Sequence, residues 1–179
     1  MTSSKGKPPS PNATMKMSPE ARARMRATEK AIYRYYNDMG KNKGHCTWGV
    51  GILAHKGVCT TEELGRKVSA EMVDQEYERK LVETEGIIRR QITVPLNQDQ
   101  FDALCSLAYN TGAKGARTTF NLVNKNDFEG AAANMSLMIK VAVIEKGKKK
   151  YVTAPGLIKR RAEESVPFLT KPTTAAASE

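Results

Sequence analysis

Residues 25–51 read MRATEKAIYRYYNDMGKNKGHCTWGVG, and the fold of the chain turns on this stretch. Met25, Glu29, Ile32 and Tyr36 are spaced by four, three and four, which predicts one face of a helix with an acid set into its apolar stripe. A soluble helix normally keeps carboxylates off that face. Burial there disfavours the charged form and raises the carboxyl pKa, leaving Glu29 able to hold a proton near neutral pH and to donate it. Asp38 follows nine residues later, within Asn37-Asp38-Met39-Gly40, whose turn chemistry predicts the end of the helix and an ionised carboxylate on a loop. Two carboxylates whose surroundings pull their pKa values apart suit acid and base work on a glycosidic bond. Taken singly, the residues have plainer readings: Glu29 as an edge residue, Asp38 as a turn residue, Thr47 as an ordinary strand residue.

Outward from this stretch the pattern is mostly helical. Ser18-Pro19 offers an N-cap and a first-turn proline for the helix carrying Glu29, which is expected to end near Asn37. Cys46 to Cys59 alternates small, apolar and glycine residues, predicting a short hairpin or three-stranded sheet. Thr60-Thr61-Glu62-Glu63 resembles a capping box opening a short helix. A long amphipathic helix is expected over 70–90, with Met72, Val73, Tyr77, Leu81 and Ile88 inward. Asn97 caps another, with Phe101, Leu104, Cys105 and Ala108 inward and Gly112 as its stop. Further helices are expected over 118–125, 128–141 and 156–165. Apolar residues at helical spacing are read as core, without chemistry.

The order and spacing of several motifs resemble one family, the phage-type lysozymes or endolysins of glycoside hydrolase family twenty-four. They are Glu29 with eight residues before Asp38, Thr47-Trp48-Gly49-Val50-Gly51, the run Pro95 to Leu104, Ala108-Tyr109-Asn110-Thr111-Gly112, and Gly156 to Arg161. The resemblance covers about Ser18 to Leu169. It implies an α+β, mainly α, lysozyme-like fold, with a small β-containing lobe and a helical lobe joined by a long helix and a cleft between them. It implies Glu29 as general acid, Asp38 as the group assisting the attacking water or the developing positive charge, and Thr47 as a residue placing that water. Leu53, Tyr109 and Asn134 fall on substrate-contacting positions, with core packing as the plain reading of the first two and a solvent-facing amide for Asn134. The chain departs from the family pattern twice: eight residues rather than five separate Asp38 from Thr47, and Ile52 stands where the family has a histidine.

The activity so implied is hydrolysis of the β-1,4 bond between N-acetylmuramic acid and N-acetylglucosamine in peptidoglycan, without cofactor. Two rival readings stand beside it. A lytic transglycosylase on the same fold uses one Glu and no attacking water, and the presence of Asp38 and Thr47 speaks against it. A basic nucleic-acid-binding protein would explain the formal charge of +10, but the lysines and arginines are spread along the chain. The charge is better matched to an anionic cell wall, and Lys146-Gly147-Lys148-Lys149-Lys150 is read as a solvated loop.

The chain is long enough for one domain or two lobes sharing a helix. Residues 1–17 and 171–179 are read as disordered tails flanking a catalytic domain over 18–170. Without an apolar leader, the enzyme is expected to gather in the host cytoplasm as a monomer, with no stable membrane insertion. It would reach the wall from the periplasmic side once a separate holin has opened the membrane. Three cysteines, Cys46, Cys59 and Cys105, make no disulfide framework and suggest a reducing compartment, with a Cys46–Cys59 bridge the less favoured state. His45, Cys46, His55 and Cys59 match no zinc pattern, so no metal is expected.

Overall fold

The computed structural model describes residues 9–145 and 148–170. They divide into two compact units, one of Pro19–Glu83 and the other of the N-terminal residues up to Ser18 together with the chain from Thr84 on.

The first unit opens with α1 (Pro19–Thr28), which stops eight residues or more before the expected point near Asn37. Ile32–Asn37 is instead a strand, β1. The run Ile32-Tyr33-Arg34-Tyr35-Tyr36 is β-branched and aromatic, residue types that fit a pleated surface. Partners on both edges decide the matter. One edge pairs antiparallel with β2 (Cys46–Gly49), Tyr36 opposite Thr47 and Asn37 opposite Cys46. On the other, the Tyr35 amide donates to the Arg66 carbonyl and the Val68 amide to that of Tyr33. Tyr35 and Trp48 bring their rings to 6.4 Å. Strand β3 (Ile52–His55) completes a sheet of order β1-β2-β3. The expected sheet is therefore present, but its third strand comes from the segment read as helix.

α2 (Thr61–Leu64) carries the predicted capping box: the Glu63 amide donates to Thr60 Oγ1 at 3.2 Å and the Thr60 amide to Glu63 Oε2 at 2.7 Å. α3 (Ala70–Gln91) runs through the division between the units. Val73, Tyr77, Leu81 and Ile88 are buried as expected. Met72 is not; it is 49% exposed, because it lies about 100° around the helix from Val73.

In the second unit, α4 (Gln98–Asn124) begins at the predicted Asn97 cap and breaks at Gly112, whose φ of 71° takes it out of the helical region. Phe101, Leu104, Cys105 and Ala108 form core, with Ala131, Ala132 and Met135 of α5 (Phe128–Ser136) and Phe168 of α6 (Pro155–Leu169). α5 is shorter than expected, and the chain then forms two strands, β4 (Lys140–Glu145) and β5 (Lys148–Thr153), in place of a helix end and a loop. Val141, Val143, Ile144, Val152 and Thr153 are β-branched residues that fit a pleated strand.

The boundary of the expected N-terminal tail also moves. Asn12 is buried, with its amide donating to the carbonyls of Val94 at 2.9 Å and Ile92 at 3.4 Å and accepting from the Leu96 amide at 3.0 Å. The Met17 amide donates to the buried Glu85 at 2.9 Å, and Arg89 donates to the Met15 carbonyl at 2.8 Å. Residues 10–17 are thus tied to the second unit by backbone and side-chain hydrogen bonds. The remaining tail expectations, for residues 1–8 and 171–179, fall outside the described residues.

Candidate active site

Glu29 follows the last turn of α1, in the short link to β1. Its amide donates to the Met25 carbonyl at 3.2 Å, and its own carbonyl lies 3.5 Å from Arg26 Nη1. Arg26 is fixed in turn by two bonds to Asp74 Oδ1, at 2.7 and 3.0 Å. The side chain of Glu29 is half-buried. The burial argued from a continuous helical stripe does not hold, since Ile32 and Tyr36 belong to β1. Beside Glu29 lies Tyr77, buried in α3 with its hydroxyl donating to the Arg22 carbonyl at 3.2 Å. Burial, followed by the negative charges of Glu78 and Glu29, pushes the Tyr77 phenol up to about 12.

Asp38 is exposed in the turn after β1, as its neighbours predict. The His45 amide donates to Asp38 Oδ1 at 2.7 Å, while the Asp38 amide donates to the His45 carbonyl at 3.1 Å. That same carbonyl accepts from Thr47 Oγ1 at 3.1 Å. One residue's backbone therefore holds both the carboxylate and the hydroxyl. The eight-residue spacing is accommodated as a closed turn, whose His45 end is anchored by the Gly57 amide donating to His45 Nδ1 at 3.0 Å. Thr47 is buried in β2, opposite Tyr36 on one side and Leu53 on the other. Burial and the Asp38 charge raise the Tyr36 phenol, partly offset by the Gly51 backbone.

Gly44 makes this turn possible. Its φ is +82°, and a Cβ there would come within 1.9 Å of Asp38 Oδ1. Gly40, at φ +96°, has open space around the same position. Both Gly40→Ala and Gly44→Ala carry the left-handed backbone strain of about 1–3 kcal/mol. Only Gly44→Ala also displaces the carboxylate. Denaturant melts should show a loss for both variants and a larger one for Gly44→Ala, whose Cβ also meets Asp38 and Met39, and activity of the folded protein should fall at least about tenfold further for Gly44→Ala. Equal activities would remove Asp38 from the site.

Cys46 and Cys59 form a disulfide with Cα atoms 4.5 Å apart, which corrects the expectation of unpaired thiols. The pairing of β2 with β3 and the bond from the Cys59 amide to Asn37 Oδ1 at 2.7 Å bring the two residues together. Spacing alone could not show that. With both sulfurs so bonded, the cluster they make with Glu63 offers only a carboxylate to a metal. Glu63 pairs with His55 Nε2 at 2.9 Å; bonds to the Lys56 carbonyl and then to Glu63 raise the imidazole pKa, and bonds from Thr60 and then His55 lower that of Glu63.

The structure thus brings Thr47 and Leu53 together on one sheet, holds Asp38 in the turn that closes onto it, and places Glu29 in the same unit. Leu53 is 53% exposed on β3. Tyr109 and Asn134 belong to the other unit: Tyr109 is buried in α4, and half-buried Asn134 accepts from Thr119 Oγ1 at 2.8 Å. Sequence reasoning missed His45, which acts through its backbone and carries no residue-type signal, and Tyr77, read only as core.

A family model described as Phage lysozyme matches residues 26–164. An endolysin of Acyrthosiphon pisum secondary endosymbiont phage 1 is 34% identical over 148 residues, covering 80% of this chain and 98% of that relative. Among solved structures, the endolysin from Escherichia coli O157:H7 phage FAHEc1 is similar with a TM-score of 0.67 at 29% identity, covering 87% of this chain and 94% of the other. The muramidase domain of SpmX from Asticaccaulis excentricus is similar with a TM-score of 0.65 at 26% identity, covering 87% and 99%.

Proposed function

The chain belongs to the phage lysozyme family, and from that premise we propose that it is an endolysin hydrolysing the β-1,4 bond between N-acetylmuramic acid and N-acetylglucosamine in peptidoglycan. The observation that carries the reading is the His45 backbone, which holds the Asp38 carboxylate and the Thr47 hydroxyl in one turn. Glu29, in the same unit, serves as the general acid that protonates the leaving oxygen. Asp38 and Thr47 orient the attacking water and stabilise positive charge at the anomeric carbon. Exposed Leu53, opposite Thr47, offers an apolar contact to a sugar ring, and Tyr109 and Asn134 are assigned to substrate from their motifs. No cofactor takes part.

A water-dependent cleavage leaves reducing muramic acid ends, whereas a transglycosylase closes an anhydro ring. Digested sacculi should therefore give reducing ends by mass spectrometry, with the anomeric configuration inverted if the two carboxyl groups act about 6.5–9.5 Å apart. Anhydromuramic acid as the main product would overturn the hydrolytic reading.

The enzyme acts on the cell wall. No described helix is long and apolar enough to cross a membrane. In our reading the enzyme is a monomer that gathers in the host cytoplasm and reaches the periplasm through a membrane opened by a separate holin. The Cys46–Cys59 bond suits work outside the reducing compartment.

A further inference from the structure

Residues 140–153, KVAVIEKGKKKYVT, hold five lysines and one glutamate in a chain of net charge +10. β4 and β5 pair antiparallel in register from Lys140 opposite Thr153 to Glu145 opposite Lys148, and they pack chiefly against each other. Their base is closed by the Ala154 amide donating to the Ile139 carbonyl at 2.8 Å. A two-stranded hairpin on its own is marginal in water, so an element that builds so little core calls for another use. Cross-strand partners share a face, and the two faces differ. Val143 and Val152 are half-buried on one, which also carries Lys148 and Lys150; Ala142 and Tyr151 are exposed on the other, which also carries Lys149. Tyr151 is 61% exposed, with the Lys149 ammonium 5.3 Å from its ring centroid, and Lys148, Lys149 and Lys150 are all exposed.

We propose that the β4–β5 hairpin is a second substrate-binding element, an arm that holds the carboxylate-bearing stem peptides of the peptidoglycan polymer from both sides, through Lys149 beside Tyr151 on one face and through Lys148 and Lys150 on the other. The inference rests on the peptidoglycan reading above and uses none of the residues assigned to catalysis. Lysine ammonium groups are point charges on flexible stems and demand no fixed two-pronged geometry, which suits a polymer whose carboxylates are irregularly spaced. The exposed face carries a single aromatic residue. A single-stranded nucleic acid needs a row of stacking rings, and a bilayer surface needs a broad apolar face to bury; the described side chains supply neither.

The test measures sedimentation with purified sacculi in a Glu29→Gln background, so that binding is read without cleavage. The triple variant K148Q/K149Q/K150Q should bind about tenfold more weakly at low salt and lose most of its salt dependence. In the Glu29→Gln protein with its hairpin intact, binding should weaken as the screening length shortens from about 30 Å at 0.01 M salt to about 8 Å at physiological strength. With the Glu29 carboxyl restored, the triple variant should hydrolyse a short neutral oligosaccharide at the wild-type rate. Unchanged sacculus binding by the triple variant overturns the proposal. So does an equal loss on the neutral oligosaccharide, or a loss confined to vesicles of anionic phospholipid. Anhydro products, by contrast, bear only on the catalytic reading and leave the binding result standing.

Discussion

Glu29→Gln should lower the rate of wall hydrolysis at least about a hundredfold while leaving the protein folded. General acid catalysis contributes about a hundred- to ten-thousandfold, and an amide has no proton to give to the leaving oxygen. The substitution is close to isosteric and keeps a hydrogen-bonding side chain at the position. Its backbone is held independently of the carboxyl, by the bond to the Met25 carbonyl and the contact from Arg26. The half-buried side chain is not part of the apolar core. Lysis of outer-membrane-stripped cells and release of reducing ends should fall together, while the variant still unfolds cooperatively. A folded variant keeping more than a tenth of wild-type activity would remove Glu29 from the acid role. Asp38→Asn should show a separate loss, since the amide keeps an oxygen for the His45 amide but lacks the charge.

What could be read from the sequence followed the reach of the interactions involved. The Asn97 cap, the capping box at Thr60 and the break at Gly112 are set by residues within a turn of one another, and all three are present. Failures came where distant partners decided the outcome. Met25, Glu29, Ile32 and Tyr36 have helical spacing, yet β2 and the segment at Arg66–Val68 claim the backbone of residues 32–37. The same reach separates the two halves of the site. Asp38 in a turn was legible from its neighbours, whereas its bond to His45 depends on how Gly44 and the β1–β2 pairing close the loop. The disulfide is the clearest case, since only the folded sheet brings Cys46 and Cys59 into reach.

Arg161→Met should be the most damaging single change to the second unit, at about 3–5 kcal/mol. Arg161 is 1% exposed, an unusual burial for a guanidinium, and its whole fork is committed. Nε donates to the Met138 carbonyl at 3.1 Å, Nη1 pairs with Glu164, and Nη2 donates to Asn110 Oδ1. Two motifs that carry the family resemblance, around Tyr109-Asn110 and Arg160-Arg161, thus meet through this one side chain, which gives them a structural role. Methionine fills much of the volume but leaves the Met138 carbonyl without the guanidinium, gives up the bond to exposed Asn110, and takes one cation from buried Glu164, which is left with Arg160 at 3.2 Å and Ser106 Oγ at 2.6 Å. For a chain of this size, about 2–4 °C per kcal/mol converts the loss to a fall in Tm of about 6–20 °C. Arg161→Lys should lose nearly as much, since a single ammonium cannot span three acceptors. A double change to Arg161→Met with Glu164→Met removes the buried charge along with its partner and should recover part of the loss. If the single variant melts within about 2 °C of wild type, the buried pair is not what holds α6 to α4, and the apolar contacts of Phe101 and Phe168 carry that packing instead.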